Sequence, residues 1–165
     1  MTKLLVKNHT LKFNGKTYRC AIGKGGLKKD KREGDACTPV GQFFLRELLY
    51  RADRIERPQT ILPVSIIQET DGWCDAPQDV NYNRRVRLPY PATHENLWRH
   101  DNIYDLVVPF GYNDMPAIPE KGSAIFLHVA RPDYSETDGC VALAVADLSE
   151  ILCSIKEQAA IIIQQ

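Results

Sequence analysis

Two residues have the types and the setting for covalent chemistry. His128 ends the apolar run Ser123-Ala124-Ile125-Phe126-Leu127, where a side chain emerges at a strand end, and Cys140 follows twelve residues later within Thr137-Asp138-Gly139-Cys140-Val141-Ala142-Leu143. A thiol at a Gly-Cys turn is a nucleophile when a base lies within hydrogen-bond reach. Gly139 lets the backbone turn tightly and lets a substrate approach with no Cβ in the way. Backbone N–H groups around the cysteine could then hold an oxyanion. A buried turn cysteine and a strand-end histidine bonded to the backbone would look the same, and spacing alone does not bring the side chains together.

The elements that must position these residues are mostly strands. Leu11 and Phe13 alternate with polar residues, Asn14-Gly15 follows, and Tyr18, Cys20 and Ile22 alternate again, which predicts a β-hairpin. Residues 61–67, 103–110 and 124–129 are short β-branched or aromatic runs bounded by Pro, Gly or Asp, and are further strands. Residues 42–52 fit either periodicity. One helix is expected near the C-terminus, with Asp147 as N-cap, Glu150 completing a capping box, and Leu148, Ile151, Leu152, Ile155, Ala159 and Ile162 as its apolar stripe to about residue 158 or beyond. Cys153 is placed on the apolar side of that helix. Residues 68–101 are polar and rich in Pro, Asn and Arg, the composition of an ordered excursion around a site. The expected class is therefore mainly β (α+β), with one substantial helix, in a single domain over residues 1–165.

Composition narrows the function. The chain has 21 Lys+Arg against 21 Asp+Glu and no net charge, without the basic excess of a nucleic-acid binder. No apolar stretch approaches the ~20 residues of a membrane span, so no integral membrane segment is expected. Leu4 to Val6 is interrupted by Lys7, so no secretory signal is visible. The chain either stays in the cytoplasm or is shown without an export segment. The five cysteines contain no Cys-x-x-Cys pair. His94, His100 and His128 lack the one-face spacing of a helical zinc site, so no metal is expected. Lys24, Lys28, Lys29, Lys31 and Arg32 read as a solvated loop.

The stretch Gly122-Ser123-Ala124-Ile125-Phe126-Leu127-His128, then Thr137-Asp138-Gly139-Cys140-Val141, resembles the signature of the YkuD-like L,D-transpeptidase catalytic domain. Upstream, Gly25-Gly26, Lys31, Glu33-Gly34-Asp35 and Thr38-Pro39-Val40-Gly41-Gln42-Phe43 resemble that family's glycine-rich stretch and its Thr-Pro-x-Gly-x-Phe motif. His94-Glu95, Trp98-Arg99 and Tyr104-Asp105 resemble a bacterial subgroup of the family. The resemblance implies a β-sandwich or barrel and acyl transfer on peptidoglycan stem peptides, with no cofactor. It implies Cys140 as nucleophile, His128 as base, the Val129 carbonyl as the group orienting the imidazole, Gly139 and Cys140 N–H groups as oxyanion donors, and Thr137 as a turn-stabilising hydroxyl. It also implies acylation by carbapenem-type inhibitors and a place in the periplasm or cell envelope.

Asp138 stands where many members have His, Ala142 where many have Arg or Asn, and the His-to-Cys interval is short. These departures flank the acyl site and bear on substrate. Arg131, and Arg85 within the Arg84, Arg85, Arg87 cluster, are the side chains that could hold a peptide carboxylate, although a solvated surface also accounts for the cluster. Asn113 is a candidate for a peptide backbone. Two other functions use the same residues: a carboxypeptidase or amidase with water as acceptor, and a cell-wall binding module with a dead site.

Overall fold

The computed structural model describes residues 1–165. Strand β1 (Thr2–Lys7) turns back into β2 (Thr10–Phe13), and Asn14-Gly15 joins β2 to β3 (Lys16–Arg19). Asn14 and Gly15 have φ of 47° and 77°, the paired positive values of the two-residue turn that matches strand twist. The chain continues through β4 (Leu27–Lys28), β5 (Thr38–Pro39), β6 (Gly41–Phe44), β7 (Leu48–Tyr50) and β8 (Val64–Ile66). The excursion follows as β9 (Asp71–Cys74), β10 (Arg85–Arg87) and β11 (His94–Asn96). Last come β12 (Leu106–Pro109), β13 (Phe126–Val129), β14 (Val141–Leu143), helix α1 (Val145–Ser154) and β15 (Ala159–Gln164).

Two five-stranded sheets carry the fold, in the orders β3-β2-β1-β15-β6 and β14-β13-β12-β7-β8. Isolated bridges Leu45↔Phe110 and Ala21↔Ala142 tie the segments that follow β6 and β3, the two edges of the first sheet, to β12 and β14 of the second, so the sandwich is nearly closed along the first sheet. Closure matters because an unpaired sheet edge is an invitation to aggregate.

Apart from its edge strand β8, the second sheet is buried on both faces, and period-two alternation decides which side chain faces which layer. Leu48, Tyr50, Leu106, Val108, Leu127, Val129, Val141 and Leu143 point into the main core, together with Leu4, Val6, Leu11 and Ile161 of the first sheet and Leu148, Ile151 and Leu152 of α1. Leu49, Val107 and Phe126 point the other way. There they form a second core with Ile67, Leu97, Ile103, Tyr104, Cys140 and the partly buried Trp73 and Trp98. Residues 68–101 supply much of this outer layer as the sheet β10-β9-β11.

The C-terminal region departs from expectation. The helix is ten residues long, its N-cap is Ala144, and no side chain caps it; Asp147 lies inside the first turn. There its charge suits the helix dipole. The expected stripe holds for Leu148, Ile151 and Leu152. Ile155 is already extended, and residues 159–164 form the interior strand β15, parallel to β1 and antiparallel to β6. A strand buried on both faces is a continuous apolar run, and Ala159-Ala160-Ile161-Ile162-Ile163 matches helical spacing merely because every position is apolar. Cys153 is exposed, one position off the stripe, not on the apolar side. Residues 42–52 are strands β6 and β7 with a break between them. No helix is long and apolar enough to cross a membrane.

Candidate active site

The outer face of the second sheet places His128. It shares that face with Phe126, because Leu127 and Val129 point into the main core. β14 lies parallel to β13 with Leu127 opposite Val141 and His128 opposite Ala142. Cys140, one residue before Val141, therefore projects on the same outer face. Both side chains line one cleft of about 400 Å³, together with Thr137, Asp138, Ala124, Glu95, Tyr104 and Lys31. That volume is in the range of small-ligand sites.

The His128 ring is held twice. Its Nδ1 lies 2.9 Å from the Val129 carbonyl oxygen, which only accepts, so Nδ1 carries the proton and Nε2 is left as the acceptor. The Tyr104 ring packs edge-on against it, 5.3 Å between centroids at 74°. Burial is the main cause that lowers the His128 pKa, to about 4, and the Arg131 and Arg99 charges act in the same direction. The imidazole is thus neutral at pH 7. The Cys140 thiol is pushed well up, first by burial and then by the Glu95 charge, with the Phe126 N–H and Lys31 opposing. The resting pair is therefore a neutral thiol and a neutral imidazole. The thiol donates to the Ala124 carbonyl at 3.3 Å and accepts from the Phe126 N–H at 3.3 Å.

The turn before Cys140 is built by Thr137. Its hydroxyl donates to the Cys140 carbonyl at 2.7 Å and accepts from the Gly139 N–H at 3.1 Å. Gly139 N–H is thus already bonded within the turn, while the Cys140 N–H donates to no protein group. Asp138 points outward and pairs with Lys24 at 3.0 Å. Ala142 is buried beside Ala21, with backbone bonds in both directions of 2.8 and 3.0 Å.

Three expected binding residues sit differently. Arg131 lines the cleft but is drawn toward Asp101, 3.7 Å away. Arg85 belongs to a separate depression with Gln68, Thr70 and Arg87, where it pairs with Asp71, so it does not reach the cleft of Cys140. Asn113 spends its whole amide on its own loop: Nδ2 donates to the Ile118 and Gly122 carbonyls at 3.0 and 2.9 Å, and Oδ1 accepts from the Ile118 N–H at 2.8 Å. Both of its N–H donors are thus engaged within that loop. Lys31 is not part of a solvated loop. It is 3% exposed and pairs with Asp35 at 2.7 Å. The Lys31 ammonium leads the charged contacts that hold the Asp35 carboxyl below the usual range, against the effect of burial.

Sequence reasoning gave no role to Glu95 or Tyr104, which line the cleft. The Tyr104 hydroxyl donates to Glu95 Oε1 at 2.6 Å. Burial raises the pKa of both groups. The Tyr104-Asp105 and His94-Glu95 pairs of the sequence are the available signal, but the partnership of Glu95 with Tyr104 is nonlocal. No group of three or more His, Cys, Asp or Glu is placed to hold a metal ion.

The buried neutral His128 has a consequence for stability. Its folded pKa lies below the unfolded value of 6.5, so the unfolded chain binds more protons between those values. Its contribution is full above pH 6.5 and is lost as pH falls toward 4, about 3 kcal/mol over that window. The Glu95 carboxyl, whose pKa is raised, works in the opposite direction. His128→Asn should therefore flatten the fall in urea midpoint between pH 7 and pH 4.5. An unchanged slope in the variant would contradict the assignment of a buried neutral imidazole.

The protein is thus a nearly closed β-sandwich whose second sheet carries a cysteine and a neutral histidine under an added three-stranded layer. A family model described as the L,D-transpeptidase catalytic domain, YkuD, matches residues 3–163, and the chain belongs to that family. Among solved structures, L,D-transpeptidase 1 of Mycobacterium tuberculosis is similar at 10% identity and a TM-score of 0.46, over 99% of this chain and 59% of that one. The helical cell shape determining protein Pgp2 of Campylobacter jejuni is similar at 15% identity and a TM-score of 0.46, over 99% of this chain and 47% of that one. This chain spans roughly half to three-fifths of the length of those proteins. No curated protein matches it.

Proposed function

We propose that this chain is a cysteine-dependent L,D-transpeptidase acting on peptidoglycan stem peptides. The observation that carries the reading is that Cys140 and His128 line one cleft, with the histidine neutral and its Nε2 unprotonated. Family membership supplies the substrate class.

As a donor peptide enters, Cys140 sulfur attacks the carbonyl of the third residue while its proton passes to His128 Nε2. The C–N bond to the terminal D-alanine breaks, and the imidazolium gives that proton to the leaving amine. A thioester on Cys140 remains. An amine of a second stem attacks it while His128 takes the amine proton, the C–S bond breaks, and the imidazolium returns that proton to the Cys140 sulfur. The Cys140 N–H is the donor that faces the developing oxyanion. Because thiol and imidazole are both neutral at rest, proton transfer accompanies attack and no standing thiolate is required.

Incubation with a tetrapeptide stem, followed by mass spectrometry, tests the acceptor. Transpeptidation gives cross-linked dimer and free D-alanine. Tripeptide and D-alanine without dimer would sink the transferase reading and leave a carboxypeptidase.

A further inference from the structure

The charges of the cleft are unequally compensated. Every cation that lines it is already paired: Lys31 with Asp35 at 2.7 Å, Lys24 with Asp138 at 3.0 Å, Arg131 with Asp101 at 3.7 Å, and Arg99 with Asp101 through bonds of 2.8 and 2.7 Å. Four of the acids have no cationic partner: Glu33, which accepts the Tyr82 and Ser123 hydroxyls, the exposed Glu136, and the two that the excursion supplies, Glu95 and Asp75. Glu95 Oε1 accepts the Tyr104 hydroxyl, but Oε2 accepts no hydrogen bond, and no Lys or Arg nitrogen lies within 4.0 Å of the carboxylate. Asp75 has no cationic partner either, and its Oδ1 is buried with no hydrogen-bond partner.

Both acids come from the excursion and share its inner face. Glu95 is registered opposite Trp73, which packs toward Phe126 with ring centroids 5.0 Å apart, and Asp75 is two residues beyond Trp73 on the same side. Leaving carboxylates partly buried without a partner is costly. A water molecule could occupy a lone pair but would leave the charge. An alkylammonium brings three donors, no acceptor and the opposite charge.

We propose that Glu95 is a specificity-determining residue of this cleft, binding a primary ammonium group of the substrate, with the Asp75 charge reinforcing it. This rests on the acyl-transfer reading for the identity of the substrate, though not for the preference itself. Since the Glu95 charge opposes thiolate formation at Cys140, an ammonium bound there also eases the nucleophile's ionisation. The ammonium belongs either to the acyl donor or to the incoming amine acceptor.

The test uses methanethiosulfonate reagents on the full chain, following Cys140 by peptide mapping. Rates are normalised to each reagent's rate with a free thiol. The cationic aminoethyl reagent should modify Cys140 about tenfold faster than the neutral methyl reagent, the size of one well-placed charge contact. Glu95→Gln, which keeps an acceptor for Tyr104, should bring the ratio near one. Asp75→Asn should reduce it by a smaller factor and serves if the first variant folds poorly. No preference in the wild type, or an undiminished preference in a folded Glu95→Gln, overturns the proposal. Titration of tetrapeptides with L-lysine or L-norleucine at the third residue into Cys140→Ala then assigns the source. Tighter binding of the lysine peptide places the ammonium on the donor, and equal binding alongside the reagent preference places it on the acceptor. A persistent reagent preference in a wild type that releases no D-alanine would fail the acyl-transfer reading and leave the ammonium site standing.

Discussion

Cys140→Ser should leave a folded protein that a carbapenem no longer acylates and whose release of D-alanine from a stem tetrapeptide falls by at least about a thousandfold. A serine hydroxyl can accept from the Phe126 N–H and donate to the Ala124 carbonyl, as the thiol does. The outer core therefore keeps its contacts, and stability should shift by about 1 kcal/mol or less. Chemistry has no such substitute. An alkanol holds its proton far more tightly than a thiol, and a His128 whose pKa is lowered to about 4 is a weak base. Intact mass after carbapenem treatment checks acylation, and an amino-acid assay checks turnover. Cys153→Ala is the internal control, because that thiol is exposed and lies away from the cleft. Turnover by Cys140→Ser within tenfold of wild type, or loss of the adduct in Cys153→Ala, would remove Cys140 from the nucleophile's role.

The parts of this molecule that could be read from its sequence are those decided locally. Asn14-Gly15 fixes its hairpin because only two residues and their φ values are involved. The strand that carries His128 is legible because it is a short apolar run, and within it Leu127 and Val129 alternate against Phe126 and His128. The end of the helix was not legible, since Ala159 to Ile163 satisfies both periods, and the choice fell to a parallel partner at the other end of the chain.

The same division runs through the site. Cys140 and His128 stand out by residue type, and the Thr137-Asp138-Gly139 turn stands out by spacing. The state of Lys31 did not, because a run of Lys and Arg reads as solvated until Asp35 and the cleft wall enclose one of its members. Glu95 and Tyr104 meet across an inserted sheet, and no local pattern announces that contact. Asn113 misled in the opposite direction. A loop asparagine at φ 50° is more readily employed in shaping its own turn than in binding a ligand.

Gly139→Ala should cost about 2–4 kcal/mol in stability, because it combines backbone strain with steric overlap. Gly139 has φ of 132°, and a Cβ there would lie 2.8 Å from the Cys37 carbonyl oxygen and 3.1 Å from Ile125 Cδ1. Neither the carbonyl nor the strand behind it can yield easily. Gly23, on the facing segment, is packed as tightly, with its own Cβ position 2.9 Å from the Gly139 Cα and 2.2 Å from the Ala36 carbonyl oxygen. The two segments are tied by the Lys24 N–H to Thr137 carbonyl bond at 2.9 Å and the Thr137 N–H to Ile22 carbonyl bond at 3.0 Å. Gly26→Ala supplies the comparison, since Gly26 also has positive φ, 78°, but nothing lies within 4 Å of the added methyl. It should cost about 1 kcal/mol, the strain alone. Urea midpoints of the two variants separate overlap from strain, and a Gly139→Ala protein no less stable than Gly26→Ala would show that the turn can move aside. Such movement would also reach the nucleophile. Thr137 Oγ1 spans from the Gly139 N–H to the Cys140 carbonyl, so a displaced Gly139 redirects the Cys140 N–H, and carbapenem acylation should fall even in whatever fraction of Gly139→Ala still folds.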